Sequence, residues 1–156
     1  MMTTLNRSRM PLERFGVLAV MLVGLLSFGM DAAAQSAAST TATLTARLSG
    51  ASEVPPTPSN ASGVLQAALD KQSRMLTWTM SLQGLSGPAT AANFHGPAMP
   101  GENAAPAVPI ALGANNGSVT LTSAQVDDLM AGRWYVSVQT AANPNGEIRG
   151  QVMIGR

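Results

Sequence analysis

The sequence predicts an all-β fold, a β-sandwich or Greek-key barrel carrying one short helix. Three observations carry this expectation. Short runs alternate apolar and polar residues, the period-2 pattern of strands half buried against a core. Clusters of Gly, Pro, Asn and Ser separate the runs, and the 156 residues include 15 Gly and 10 Pro. These residues punctuate chains of short strands. Only the stretch from Thr122 to Ala131 has helical spacing.

Residues 1–34 read as a secretory signal peptide. Arg7, Arg9 and Arg14 form a basic start, Phe15 to Met30 is apolar, and Ala32, Ala33 and Ala34 suit a signal peptidase. Cleavage is expected near Ala34 on a Sec-type route, placing the mature chain in the periplasm or outside the cell. The apolar run is shorter than the ~20 residues of a spanning helix, so no membrane span is expected in the mature chain. Residues 35–40 read as a short flexible lead-in, and residues 41–156 as one domain.

Thr41 to Leu48 alternates Leu44, Ala46 and Leu48 with Thr43, Thr45 and Arg47, a half-buried strand. Pro55, Pro56 and Pro58 then exclude a central strand, because each removes a ladder donor. Gly63 to Leu69 is a second strand, and Asp70 to Arg74 a polar hairpin loop. Met75 to Gln83 has the cleanest alternation, with Leu76, Trp78, Met80 and Leu82 on one face. Trp78 is a predicted core residue. Thr90 to His95 is the next strand, with Asn93 and His95 on its polar face. Gly96 to Pro106 is a long Pro/Gly loop, suited to a flap. Ala107 to Leu112 and Ser118 to Leu121 are expected as strands around a turn at Asn115-Asn116-Gly117. In the helix, Thr122 and Gln125 have capping-box spacing, Val126, Leu129 and Met130 make an apolar face, and Gly132 suits the end.

The chain closes on a hairpin. Trp134, Val136 and Val138 alternate with Tyr135, Ser137 and Gln139. Ile148, Val152 and Ile154 alternate with Glu147, Arg149, Gln151 and Met153. Asn143-Pro144-Asn145-Gly146 supplies the turn.

Composition narrows the function classes. The net charge is +1 and the basic residues after the leader are scattered, which argues against a nucleic-acid surface. The absence of Cys excludes disulfides, thiolate metal sites and Cys nucleophiles. No Ser sits in a recognisable nucleophile motif.

Four stretches together resemble one family. They are Leu48 to Pro56 (LSGASEVPP), Leu85 to Pro88 leading into Ala91 to Pro97 (AANFHGP), Leu129 to Val136 (LMAGRWYV), and Thr140 to Gln151 (TAANPNGEIRGQ). The set is similar to the CHRD domain, named after chordin, from about Thr41 to the C-terminus. The resemblance implies an immunoglobulin-like β fold, and for a bacterial exported member a non-enzymatic binding or structural module. An envelope or extracellular protein is the expected class of partner, and no cofactor is expected. Relatives often carry His-x-His where this chain has Asn93-Phe94-His95, and a His where it has Gln139. Three imidazoles there could hold copper or zinc. With one His, the alternative is a degenerate, superoxide-dismutase-like metal site at His95, supported by Asn93, Gln139 and Met99.

The remaining candidates read as architecture. His95 is expected to bond the Gly96-Pro97 loop through its ring. Arg149 is expected to pair with Glu53 or Glu147 and pin the Pro-rich loop to the hairpin. Trp134 joins Trp78 in the core. Met75, Met80, Met130 and Met153 read as core filling, and Asp127-Asp128 as a solvated pair.

Overall fold

The structure, a computed structural model, describes residues 40–114 and 116–155. The leader expected over residues 1–34 and most of the lead-in therefore lie outside the described residues. Among the described residues, no helix is long and apolar enough to cross a membrane.

The elements are β1 (Thr41–Ser49), a 3-10 turn (Gly50–Ser52), β2 (Ser62–Asp70), β3 (Met75–Gln83), β4 (Ala89–His95), β5 (Pro106–Pro109), β6 (Asn116–Thr120), α1 (Ser123–Met130), β7 (Tyr135–Thr140), β8 (Ile148–Gln151) and β9 (Met153–Ile154). The strands join one antiparallel sheet in the order β5-β4-β7-β8-β1-β2-β3-β6, with β9 on β1. The sheet curls into a half-barrel. The all-β fold with one short helix is as expected.

Alternation builds the core. Ala42, Leu44, Ala46 and Leu48 of β1 are buried, as are Leu65, Ala67 and Leu69 of β2 and Leu76, Trp78 and Met80 of β3. Each fully buried Leu is worth roughly 1.5–3 kcal/mol over an exposed one. The curl brings β3 against β4, where Trp78 meets Phe94 edge-on at 5.1 Å between centroids. Trp134, 1 % exposed, lies 5.9 Å beyond Phe94. The capping box of α1 forms as read, with Thr122 Oγ1 accepting from the Gln125 N–H and Gln125 Oε1 from the Thr122 N–H. Gly132 ends it at φ 71°.

Several local expectations fail. β5 and β6 do not form a hairpin. They lie at opposite ends of the sheet, on β4 and β3, and the turn falls at Leu112-Gly113. Asn116 and Gly117 belong to β6 because the Trp78 ring lies on the strand there. A Cβ on Gly117 would stand 2.4 Å from Trp78 Cζ2. Met75 and Met153 are about half exposed rather than core filling. The return strand breaks at Val152, whose N–H bonds the Trp134 carbonyl. Beyond it β9 switches to β1 and leaves Ile154 exposed. Asp128 is not merely solvated, since it forms an ion pair with Arg133.

Candidate functional site

The hairpin β7–β8 is buried on both faces. Val136, Val138 and Ile148 face the core, yet Tyr135, Ser137, Glu147 and Arg149 on the polar face are also buried. Two loops cover that face. One is the Pro-rich loop after the 3-10 turn, and the other is the Gly96–Pro106 loop.

Glu147 anchors the first loop. Its carboxylate accepts from Ser59 Oγ at 2.8 Å, the Ser86 N–H at 2.8 Å, Ser86 Oγ at 2.6 Å and Thr140 Oγ1 at 2.6 Å. Thr57 Oγ1 donates to the Glu147 carbonyl at 2.7 Å. Burial alone would push this carboxyl up, but the hydrogen bonds from Ser86, Thr140 and Ser59 prevail and hold it down to about 2. Three segments distant in sequence thus meet on one anion.

Glu53 lies nearer the second loop. Its Oε1 accepts from Ser137 Oγ at 2.8 Å, and burial raises its pKa against the pull of Ser137 and Arg149. It packs on Gly146, where a Cβ would stand 2.5 Å from Glu53 Oε1. Gly146 also has φ 131°, a conformation glycine tolerates.

Arg149 pairs with neither acid. One guanidinium nitrogen donates to Asn103 Oδ1 at 3.0 Å and another to the Glu102 carbonyl at 2.6 Å. The loop it holds is Gly96–Pro106, not the Pro-rich loop that was expected, and the acceptors are neutral. The Pro-rich loop is held by the two acids through hydroxyl groups instead. The physical reason is register. Arg149 pairs across strands with Ser137 and Ser49, and the flap supplies the nearest acceptors.

A stack crosses the strands above this floor. The His95 and Tyr135 rings are stacked, with centroids 4.7 Å apart and planes 4° from parallel. The Arg149 guanidinium carbon is 3.5 Å from the Tyr135 ring centroid, a cation–π contact. Since β7 lies between β4 and β8, Tyr135 is sandwiched by the other two. Ala104 ties the flap to the stack. Its carbonyl meets His95 Nδ1 at 2.9 Å, and its N–H donates to the Tyr135 hydroxyl at 3.1 Å. The His95 ring therefore bonds the loop that begins at Gly96-Pro97, as expected, and does so at Ala104. Burial, with the nearby Arg149 charge, lowers the His95 pKa. His95 Nε2 is buried and has no hydrogen-bond partner among the described residues.

Two clefts flank Glu53. One, about 470 Å³, is lined by Ser52, Glu53, Pro100 and Arg149 among others. The other, about 370 Å³, lies between Glu53, Val54, Pro55, His95, Asn103 and Ser137, with Asn145 and Tyr135 beside them.

The sheet places Asn93, His95 and Gln139 on one face, on the neighbouring strands β4 and β7. Gln139 opposes Ala91 and Asn93 opposes Ser137. Neither lines the cleft beside His95, and Met99 is half exposed in the flap. Among the described residues no cluster of three or more His, Asp or Glu side chains is placed to hold a metal ion. Sequence reasoning missed Asn103, Ala104, Ser59 and Ser86, which act through single polar contacts that leave no periodicity. Tyr135 did have a signal, an aromatic ring on the polar face of a strand.

A curled antiparallel sheet whose last hairpin is clasped by two loops defines an all-β module in which Glu53, Glu147 and Arg149 are turned to internal partners. The chain belongs to the CHRD domain family, whose model matches residues 44–152. No curated protein and no solved structure matches it.

Proposed function

We propose that the chain is an exported CHRD-domain protein, a non-enzymatic binding or structural module of the cell envelope. In this reading a Sec-type leader is removed near Ala34, and the domain works in the periplasm or outside the cell against an envelope or extracellular partner. One observation carries it. The Glu147 carboxylate and the Arg149 guanidinium, two of the three charges read inside the family-like motifs, are spent on holding loops, and the third, Glu53, accepts from Ser137 of the hairpin. Acid/base catalysis needs a titratable group within reach of a substrate proton, and these two hold structure instead. The test is cell fractionation with mass measurement of the purified N-terminus. A chain beginning near Gln35 in the envelope or medium is expected. An intact leader on a cytosolic chain would overturn the reading.

A second reading, a copper or zinc site at His95 with Asn93, Gln139 or Met99, draws on the unpartnered His95 Nε2. Its test is metal analysis of untagged protein. Stoichiometric metal that disappears in His95→Ala would replace the first reading. Metal gained only in the Asn93→His, Gln139→His double variant would mark a degenerate site.

A further inference from the structure

We infer that the open edge of β6 pairs antiparallel with β6 of a second copy of this chain, joining two domains into one continuous sheet with Ser118 on the two-fold axis. The inference goes beyond the binding-module reading and does not depend on it.

The two ends of the sheet differ in chemistry. The strand order runs from β5 at one end to β6 at the other. β5 begins at Pro106 and ends at Pro109, and proline has no N–H to offer a further strand. β6 reads Asn-Gly-Ser-Val-Thr, with neither proline nor charge. Lysine, proline and bulges are ordinary means of closing a sheet edge. β6 has none of them, and its register with β3 runs unbroken from Asn116 to Thr120. Among the described residues β6 is paired on one side only, with β3, and no turn or loop hydrogen bond covers its other side. Asn116, Ser118 and Thr120 are exposed, and Gly117 and Val119 are partly so. An unpaired row of backbone N–H and C=O groups beside neutral side chains is a template for strand addition.

The register selects a second copy as the occupant. Because β6 alternates, outward residues must oppose outward ones in a shared sheet. An antiparallel pair centred on Ser118 meets this condition for every residue of the strand. Ser118 opposes its own counterpart, Asn116 opposes the second copy's Thr120, and Gly117 opposes the second copy's Val119. Hydroxyl and amide groups thus pair on the outer face. On the inner face the fit is steric. Gly117 stands beside Trp78 in the ladder, and the indole reaches over it, so that a Cβ there would lie 2.4 Å from Trp78 Cζ2. The second copy's Val119 falls next in that row, apolar against the ring. Val119 is only partly buried in its own domain, so it has apolar surface left to cover.

Charge does not oppose the pairing, because β6 is neutral and the whole chain carries a formal +1. An isologous pair uses both β6 edges and leaves only the proline-bearing β5 edges, so assembly closes at two. The strand is 5 residues long, against roughly 20–30 residues a side in a standard interface. The dimer is therefore reversible and fills at high concentration.

The untagged chain, as its own cells process it, is followed by sedimentation equilibrium from about 10 µM to about 1 mM, a span that captures even millimolar association. Reversible monomer–dimer behaviour is expected, with amide exchange across Asn116 to Thr120 slowing as the dimer fills. Ser118→Lys sets like charges face to face and should weaken the dimer about tenfold or more, as should Ser118→Glu. An equimolar mixture of the two variants should dimerise again. Because the sequence has no Cys, Ser118→Cys supplies a thiol at one place only. Copper-phenanthroline oxidation should link that thiol to its counterpart, since opposed Cβ atoms lie about 4.5–5.5 Å apart. The exposed control Ser62→Cys should stay unlinked. If the charged variants do not fold, the crosslink decides. A monomer throughout the range overturns the inference. So does a dimer unmoved by the folded charged variants, equal linking of the control, or growth into larger species. None of these results bears on the envelope reading, which fractionation tests separately.

Discussion

Two side chains show how a single residue sets the response of this domain to pH. Glu147 has a folded pKa of about 2 against 4.5 for a free carboxylate. Its stabilisation is therefore complete above pH 4.5 and is lost as pH falls through that window toward 2. Glu147→Ala removes the anion on which Ser59, Ser86 and Thr140 converge, and urea denaturation should show a loss of about 3–5 kcal/mol. His95 acts earlier. Its pKa is lowered from 6.5 by burial and by Arg149, so the unfolded chain takes up the proton first. Stability is thus fully present above pH 6.5 and declines as pH falls through the folded value. Arg149, Tyr135 and Glu53 are the ionisable groups around the ring. Because His95 is the chain's only His, His95→Gln should flatten the dependence of the urea midpoint between about pH 7 and pH 5. An unchanged slope would show that another group titrates there.

Within the elements, close backbone approach matters more than propensity. Gly150 sits in β8 where the strand meets β1, and a Cβ there would stand 2.4 Å from the Arg47 carbonyl oxygen. Backbone cannot yield as a side-chain tip does, so Gly150→Ala should cost about 1–3 kcal/mol or more by thermal denaturation. The helix tests a local rule instead. Thr122→Ala removes one half of the capping box and should cost about 1 kcal/mol. The strand alternation of β1, β2 and β3 and the α1 cap were legible in the chain because neighbours a few residues apart decide them. The pairing of β5 with β4 and β6 with β3 was not legible. It depends on which sheet edge each short strand reaches, and the turn residues Asn115, Asn116 and Gly117 gave a competing local signal.

At the scale of the whole molecule, a disulfide-free domain rests on one core joined to a clasped hairpin. Both tryptophans are buried in that core. Their emission should shift to the red in one step that coincides with loss of the far-UV signal. Two separate transitions would mean that the clasp melts independently. Arg149→Lys should preserve this transition while loosening the flap, because an ammonium cannot reproduce the fork to Asn103 and Glu102 or the contact with Tyr135. Hydrogen exchange should then rise selectively around Ala98 to Ala104. The sequence by itself determined the strands, their inward faces, the single helix and the family, since period-2 patterning and turn chemistry are local. It also marked Glu53, Glu147 and Arg149 as structural. Their partners, the His95–Tyr135–Arg149 stack and the unpartnered Nε2 were decided only by tertiary structure. The hydrogen bonds of Glu147 to Ser59, Glu53 to Ser137 and Arg149 to Glu102 bring residues 88, 84 and 47 positions apart within about 3 Å, and contacts over such separations depend on register and loop path, which no local pattern encodes.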